Sequence, residues 1–228
     1  MSTSPSLSVV IPTLNAAGVL PAALASLAPA RDLLREIIVA DSGSTDATAA
    51  IAAAAGATVV QGPRGRGAQL AAGADATTGA WLLFLHADTR LDASWRGVAE
   101  RFIADPGNLR RAGYFAYRLD DTAAEARRLE RIVAWRSRAL GLPYGDQGLL
   151  LSRDFYRELG GFPPLVLMED VALARRIGRL RLVPLAAGAL TSAARYRRGY
   201  APRMLRNLLC LSLYFAGAPP RFIARLYG

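Results

Sequence analysis

The 228-residue chain contains no lysine: all 28 of its basic residues are arginine, set against 18 acids. That absence removes the lysine of the Walker phosphate loop, pyridoxal Schiff-base chemistry and every amine nucleophile. A single cysteine, Cys210, excludes a disulfide framework and cysteine-ligated zinc, and it suits a reducing compartment. A single histidine, His86, excludes any site built from several imidazoles. No apolar run reaches the ~20 residues of a membrane-spanning helix. Residues 208–218 come nearest and are too short. Residues 1–8 lack the basic-then-apolar order of a secretory leader. The expected location is therefore the cytoplasm, with peripheral contact at the inner face of a membrane left open.

What is present is a foldable chain whose chemistry must come from carboxylates, arginine and backbone amides. At 52% hydrophobic and 20% charged residues it can bury a core, and its length suits one large domain or two small ones. The formal net charge of +10 points to an anionic partner, for which nucleic acid, a membrane surface and a phosphorylated small molecule all qualify. A merely solvated basic face would carry the same charge.

Short apolar runs alternate with helix-like segments through the first half. Residues 7–12 (LSVVIP), 36–40 (EIIVA), 57–61 (ATVVQ) and 81–85 (WLLFL) read as buried strands, and 16–27 and 46–55 as helices. Continuous Val, Ile and Leu strands separated by helices indicate a largely parallel sheet covered on both faces. In such sheets ligands bind beyond the carboxyl ends of the strands. The second half adds strands at 113–119 and 148–152, helices at 122–140 and 169–177, and two tail helices within 201–227 broken at Pro219-Pro220. No internal repeat or Ser/Gly linker is present, so one α/β domain over residues 1–200 with a helical tail over 201–228 is the economical reading.

Four stretches carry candidate chemistry, each with a plainer alternative. In Asp41-Ser42-Gly43-Ser44-Thr45-Asp46, Asp46 or Ser44 suits a helix cap, whereas Asp41 stands at a strand end where it can accept hydrogen bonds from a ribose or base. His86-Ala87-Asp88-Thr89 places a carboxylate at the end of another buried strand. One aspartate with nucleotide phosphates and water can hold a hard divalent cation, although a turn aspartate bonding its own backbone fits too. Glu169-Asp170 opens a helix, a position acids favour through the helix dipole alone. Gly65-Arg66-Gly67 nearly mimics a dinucleotide fingerprint but lacks the third glycine and follows the wrong strand; Arg64 and Arg66 can still reach phosphate.

Taken in order, VVIPTLNAA, EIIVADSGSTDAT, GAWLLFLHADTRL, GDQGLLLSRDFYRELGGF and LMEDVALARRI resemble the family 2 glycosyltransferases of the GT-A fold. The nearest likeness is a small bacterial subgroup, the transferases associated with radical-SAM and selenium-related domains. The resemblance covers residues 7–200. It implies a nucleotide-sugar pocket lined by Pro12, Thr13 and Asn15, with Asp41 and Asp46 as the acids of the base- and ribose-reading motif. It implies Arg66 near the donor and Asp88 as the metal-binding acid for Mg²⁺ or Mn²⁺. Asp170, with Glu169 beside it, matches the general base. Asp146 and Gln147 fall on the acceptor side, and Arg195 or Arg198 takes the place of the basic residue at the diphosphate. His86 replaces the first acid of the metal motif, and Ala68-Gln69-Leu70-Ala71 departs from the subgroup's pattern. The implied reaction is inverting transfer from a UDP- or GDP-sugar to an acceptor hydroxyl.

Two rivals remain at this stage. A nucleotidyltransferase would show a glycine-rich Arg and Lys signature after the first strand, where Pro12-Thr13-Leu14-Asn15 stands instead. A non-enzymatic polyanion- or membrane-binding module has no use for Asp41, Asp88 and Asp170 on crevice loops, so no nucleic-acid partner is expected. The tail carries arginines beside the apolar run Leu208, Leu209, Leu211, Leu213, Tyr214 and Phe215. Such a helix packs on the core, pairs with a second copy in a homodimer, or lies in a membrane interface near a hydrophobic or lipid-linked acceptor.

Overall fold

A computed structural model describes residues 7–196 and 199–227, with Arg195 described by its backbone alone. Its centre is one eight-stranded sheet in the order β3-β2-β1-β4-β7-β6-β8-β5. The strands are β1 Leu7–Thr13, β2 Leu34–Asp41, β3 Thr58–Gln61, β4 Trp81–Phe84, β5 Thr89–Leu91, β6 Ala112–Leu119, β7 Leu149–Ser152 and β8 Leu182–Thr191. The helices are α1 Leu20–Leu27, α2 Thr48–Ala54, α3 Arg66–Asp75, α4 Trp95–Ala104, α5 Ala124–Leu140, α6 Arg153–Glu158, α7 Glu169–Ile177, α8 Tyr200–Phe215 and α9 Pro220–Tyr227. Strands β1 to β4 are mutually parallel, as the apolar runs predict; β7 lies antiparallel to both β4 and β6, and β5 antiparallel to β8.

The uninterrupted hydrophobicity of β1 follows from burial on both faces. Val9 and Ile11 face the layer of α1 and α4, joining Leu20, Trp95 and Phe102. Val10 faces the other layer with Leu70 of α3, Phe155 of α6 and Leu173 of α7. Strand β8 has no counterpart among the sequence expectations, because LVPLAAGALT shows no period of two. Its Pro184 lies beside the register shift between Tyr114 and Ala116 of β6, a break in the ladder where a missing N–H is tolerated.

The tail helices end where the Pro219-Pro220 break predicts, and they pack on the domain. Cys210 of α8 and Ile223 of α9 are fully buried against Leu142, Met168 and Val171. Leu205, Leu208, Leu209 and Phe215 recur at helical spacing on the outer side of α8 and are exposed. Among the described residues no helix is long and apolar enough to cross a membrane.

Close approach of α3 to the sheet depends on Gly73, where an added Cβ would lie 2.4 Å from Cγ1 of Val10. Helix propensity favours alanine there by at most about 1 kcal/mol. Overpacking a fully buried strand costs on the order of 1–3 kcal/mol. Gly73→Ala should therefore lower the urea midpoint, whereas Gly18→Ala, with nothing within 4 Å, should leave it within error. Equal midpoints would show that α3 is free to shift off β1.

Candidate active site

Parallel strands β1, β2 and β4 end on one edge, and the loops leaving them frame a cleft of about 990 Å³. Pro12, Thr13 and Asn15 form one wall, Arg64, Arg66 and Gln69 another, and His86 and Asp88 close the β4 end. Asn15 adopts a left-handed backbone (φ 51°) that asparagine tolerates. Its amide donates to Oγ of Ser44 at 2.8 Å, and its Oδ1 accepts from the Thr45 amide at 2.9 Å. The β1 and β2 loops are thus tied to each other before any ligand arrives.

Asp41 lies beneath this cleft. Its Oδ1 accepts from the hydroxyls of Thr13 (2.8 Å) and Ser44 (2.5 Å), and its Oδ2 from the amides of Gly43 (3.0 Å) and Ser44 (2.8 Å). Burial opposes its charge, but the hydrogen bonds from Ser44, Thr13 and Gly43 outweigh that and hold the carboxyl below the usual range. Both oxygens are committed within the protein, so the arrangement gives Asp41 the work of positioning Thr13 and Ser44. Asp46 accepts from Thr48, the first residue of α2, through amide (3.0 Å) and hydroxyl (2.5 Å), and from the Ala17 amide at 3.1 Å. Asp46 rather than Ser44 therefore anchors the helix start. Gln69, not singled out as a site residue, donates through Nε2 to the carbonyls of Thr13 (2.7 Å) and Ala40 (3.1 Å), bridging the ends of β1 and β2.

Next to the cleft is a second cavity of about 710 Å³. Arg66 and His86 line both, so the two share a wall. Asp170, at the start of α7, lines the second cavity, its carboxylate accepting from the amides of Gly145 (2.9 Å) and Val171 (2.7 Å). Gly145 must be glycine: a Cβ there would lie 2.3 Å from Nε2 of His86. His86 and Asp170 thus meet across one bare stretch of backbone. Tyr144 also lines this cavity; burial pushes its phenol up to about 12, and the Arg136 guanidinium stacks 3.4 Å over its ring.

Glu169 lines neither of these two cavities. It is 1% exposed and paired with Arg66 at 3.4 Å, while its Oε2 has no partner among the described residues. Burial and then the charge of Asp170 push its carboxyl up to about 7, against the pull of Arg66. Burial works against the charge of Arg66, but Glu169, Asp170, Tyr227 and Asp88 more than offset it.

The structure thus brings Pro12, Thr13, Asn15, Arg66 and Asp88 to the first cavity and Arg66, Asp146 and Asp170 to the second. Gln147 does not join them. It is buried, donating to the Phe115 carbonyl of β6 at 3.1 Å and accepting from the Ser137 hydroxyl of α5 at 2.8 Å, so its amide is satisfied between those two elements. Arg195 belongs to the turn Ala193–Tyr196 by its backbone, and Arg198 lies outside the described residues. Sequence reasoning missed Tyr117, Tyr196, Arg203, Asn207 and Tyr227 in the second cavity. The only available signal was the pair Arg203 and Asn207, four apart on one helix face.

A nucleotide-type sheet with joined cavities at its carboxyl edge is the arrangement of the GT-A glycosyltransferase fold. The family described as Glycosyl transferase family 2 matches residues 8–146, and the chain belongs to that family. A glycosyltransferase of PGL/p-HBAD biosynthesis from Mycobacterium tuberculosis is 40% identical over 95 residues, which span 39% of this chain and 37% of that relative. Glucosyl-3-phosphoglycerate synthase from Mycobacterium tuberculosis, solved with Mn²⁺, UDP-glucose and phosphoglyceric acid, is similar at 25% identity and TM-score 0.59, over 79% of this chain and 69% of its own. The mannosyltransferase PcManGT from Pyrobaculum calidifontis, solved with GDP-Man and Mn²⁺, shares the fold at TM-score 0.69 and 23% identity, over 99% of this chain and 69% of its own.

Protonation of Glu169 gives a test of this geometry. With its folded-state value raised to about 7 from an ordinary 4.5, the stability it contributes is full below pH 4.5 and is lost as pH rises through 7. Glu169→Gln removes that dependence. The variant's urea midpoint relative to the parent should therefore climb between pH 5 and pH 8. Parallel pH profiles would mean that the carboxyl ionises in the fold without cost.

Proposed function

We propose that the protein transfers a sugar from a nucleotide-sugar donor, UDP- or GDP-linked, to an acceptor hydroxyl with inversion at the anomeric carbon. The observation that carries this reading is the shared wall. Arg66 and His86 border both the cleft framed by the β1, β2 and β4 loops and the cavity holding Asp170. A donor in the first space therefore presents its anomeric carbon to an acceptor in the second. The ligands of the two solved neighbours, UDP-glucose and GDP-Man with Mn²⁺, support the same assignment.

Each residue then has a physical role. Thr13, Asn15 and Ser42 border the nucleoside end of the cleft, with Asp41 fixing Thr13 and, through Ser44, the loop that holds Asn15. Arg66 faces the diphosphate as a delocalised cation that its acidic neighbours keep charged. Asp170 takes the proton of the attacking hydroxyl, its two amide hydrogen bonds aiming the carboxylate. Donor and acceptor held in line across the shared wall supply the proximity term. Glu169 positions Arg66 and does not itself face the reacting groups.

Among the described residues no cluster of three or more His, Cys, Asp or Glu could hold a metal. The single carboxylate of Asp88 in the cleft fits a hard cation that completes its shell with phosphate oxygens and water. Mg²⁺ or Mn²⁺ bound there would neutralise charge on the departing nucleoside diphosphate. Binding of that ion should follow the nucleotide: Mn²⁺ alone should leave the melting temperature unchanged, and UDP or GDP with Mn²⁺ should raise it. Saturation at ~100 Kd adds about 2.7 kcal/mol. Absence of any shift with every nucleotide would remove the donor assignment.

Asp170→Asn should keep that nucleotide-dependent shift and lose transfer by about 10²–10⁴-fold. Near-parental turnover would leave Asp170 as a helix-start acid only.

A second reading concerns location. The exposed stripe of Leu205, Leu208, Leu209 and Phe215 on α8 suits peripheral contact with a membrane surface. Flotation with anionic liposomes should carry the parent and lose Leu208→Glu/Leu209→Glu. A concentration-dependent dimer abolished by the same pair would assign the stripe to a second copy instead.

A further inference from the structure

The mechanism leaves unused the part of the Asp170 cavity that the tail builds. Arg203 and Asn207, one turn apart on α8, and Tyr227, at the end of α9, line it together with Arg66 and Asp170. The Arg203 guanidinium donates to the Tyr227 hydroxyl at 2.5 Å and lies 4.6 Å from the centroid of that ring. Among the described residues it forms no ion pair. Asn207 Oδ1 is buried with no hydrogen-bond partner among them. A buried amide oxygen without a donor costs about 1–3 kcal/mol, so a hydroxyl entering the cavity gains by donating to it. Tyr196, which also borders it, hydrogen-bonds to Tyr117 and senses Asp146 and Arg203.

These groups are not an accidental surface. The tail is pinned by Cys210 and Ile223 onto Leu142, Met168 and Val171, and Val171 directly follows Asp170 in α7. The same contacts that seat the roof therefore reach the element bearing the carboxylate. Four tyrosines, Tyr117, Tyr144, Tyr196 and Tyr227, wall this cavity. Tyrosine faces and hydroxyls suit a hydroxylated molecule, and the guanidinium suits an anion at its far end.

Resting on the glycosyl-transfer reading above, we propose that α8 and α9 form the acceptor subsite, which takes a small hydroxylated anion. One acceptor hydroxyl faces Asp170, a second donates to Asn207 Oδ1, and the carboxylate or phosphate is held by Arg203. The acceptor is thus enclosed by the tail, in contrast to the hydrophobic or lipid-linked acceptor that the tail's composition suggests.

The test is calorimetric titration of the full chain, with UDP or GDP and Mn²⁺ present, using two matched series. These are glycerol, glycerate and glycerol 3-phosphate, and glucose, glucuronate and glucose 6-phosphate. At least one anion should bind about 10-fold or more tightly than its neutral parent. Which anion wins separates a carboxylate acceptor from a phosphate one. Arg203→Met should abolish the preference and Arg203→Lys restore part of it, with nucleotide affinity unchanged in both. Asn207→Ala should weaken neutral and charged members alike, and its retained nucleotide binding reports that the chain is folded. Equal binding of neutral and anionic members, an intact preference in Arg203→Met, or nucleotide binding with none of the six probes overturns the subsite. Loss of nucleotide binding in the parent instead overturns the donor reading on which it rests.

Discussion

The ion pair between Arg66 and Glu169 turns two cavities into one site. It joins the first residue of α3 to the first residue of α7, elements that approach from different strands of the sheet. Gly67 makes the approach feasible, since a Cβ there would lie 2.2 Å from the Pro163 carbonyl oxygen and 3.0 Å from Cβ of Glu169. A carboxylate as buried as Glu169 is expensive to ionise unless paired. Arg66 meets only one of its two oxygens, and the other is left alone among the described residues. The site therefore stores a choice between a proton on Glu169 and a full charge beside Arg66, and that choice sets how firmly the guanidinium is held at the wall the two cavities share.

The near-fingerprint Gly65-Arg66-Gly67 shows how a motif can be right in place and wrong in mechanism. In a dinucleotide site the glycines admit a pyrophosphate at the helix N-terminus. Here Gly67 admits the Pro163 carbonyl and Gly73 admits Val10, so both serve helix packing. Gln69, which seemed only a departure from the subgroup's pattern, ties the carbonyls of Thr13 and Ala40 where the two strands run out of ladder partners. Buried carbonyls demand donors, and a side-chain amide of the right length supplies them.

Much of the architecture was legible because β1, β2 and β4 are buried on both faces and so read as unbroken apolar runs. The end of β4 located Asp88, the family resemblance supplied Thr13 and Asn15, and the acidic pair marked the start of α7. What could not be read was direction. Asp41 and Gln147 stand where ligand-facing groups belong, yet Asp41 is consumed by its own turn and Gln147 by Ser137 of α5 and the Phe115 carbonyl of β6. Sequence gives the position of a polar residue on a loop but not which of several nearby amides and hydroxyls will claim it. The same limit applied to β8, whose alanines, Pro184 and Gly188 carry no period, and to Arg203 and Asn207, which become site residues only through the return of the tail.

That return is held by a cluster around which Leu211, Leu213, Tyr214 and Tyr227 also pack. Cys210 and Ile223 are the tail's two fully buried side chains, and burial of each contributes roughly 1–3 kcal/mol. A domain of this size is stable by only about 5–15 kcal/mol in total. The tail's packing is therefore a sizeable share of that total, and it places Arg203, Asn207 and Tyr227 at the cavity that Asp170 lines. In the proposed reaction, donor binding and acceptor recognition fall to different parts of the chain, the first to the loops at the sheet's edge and the second to helices that return from the end of the chain.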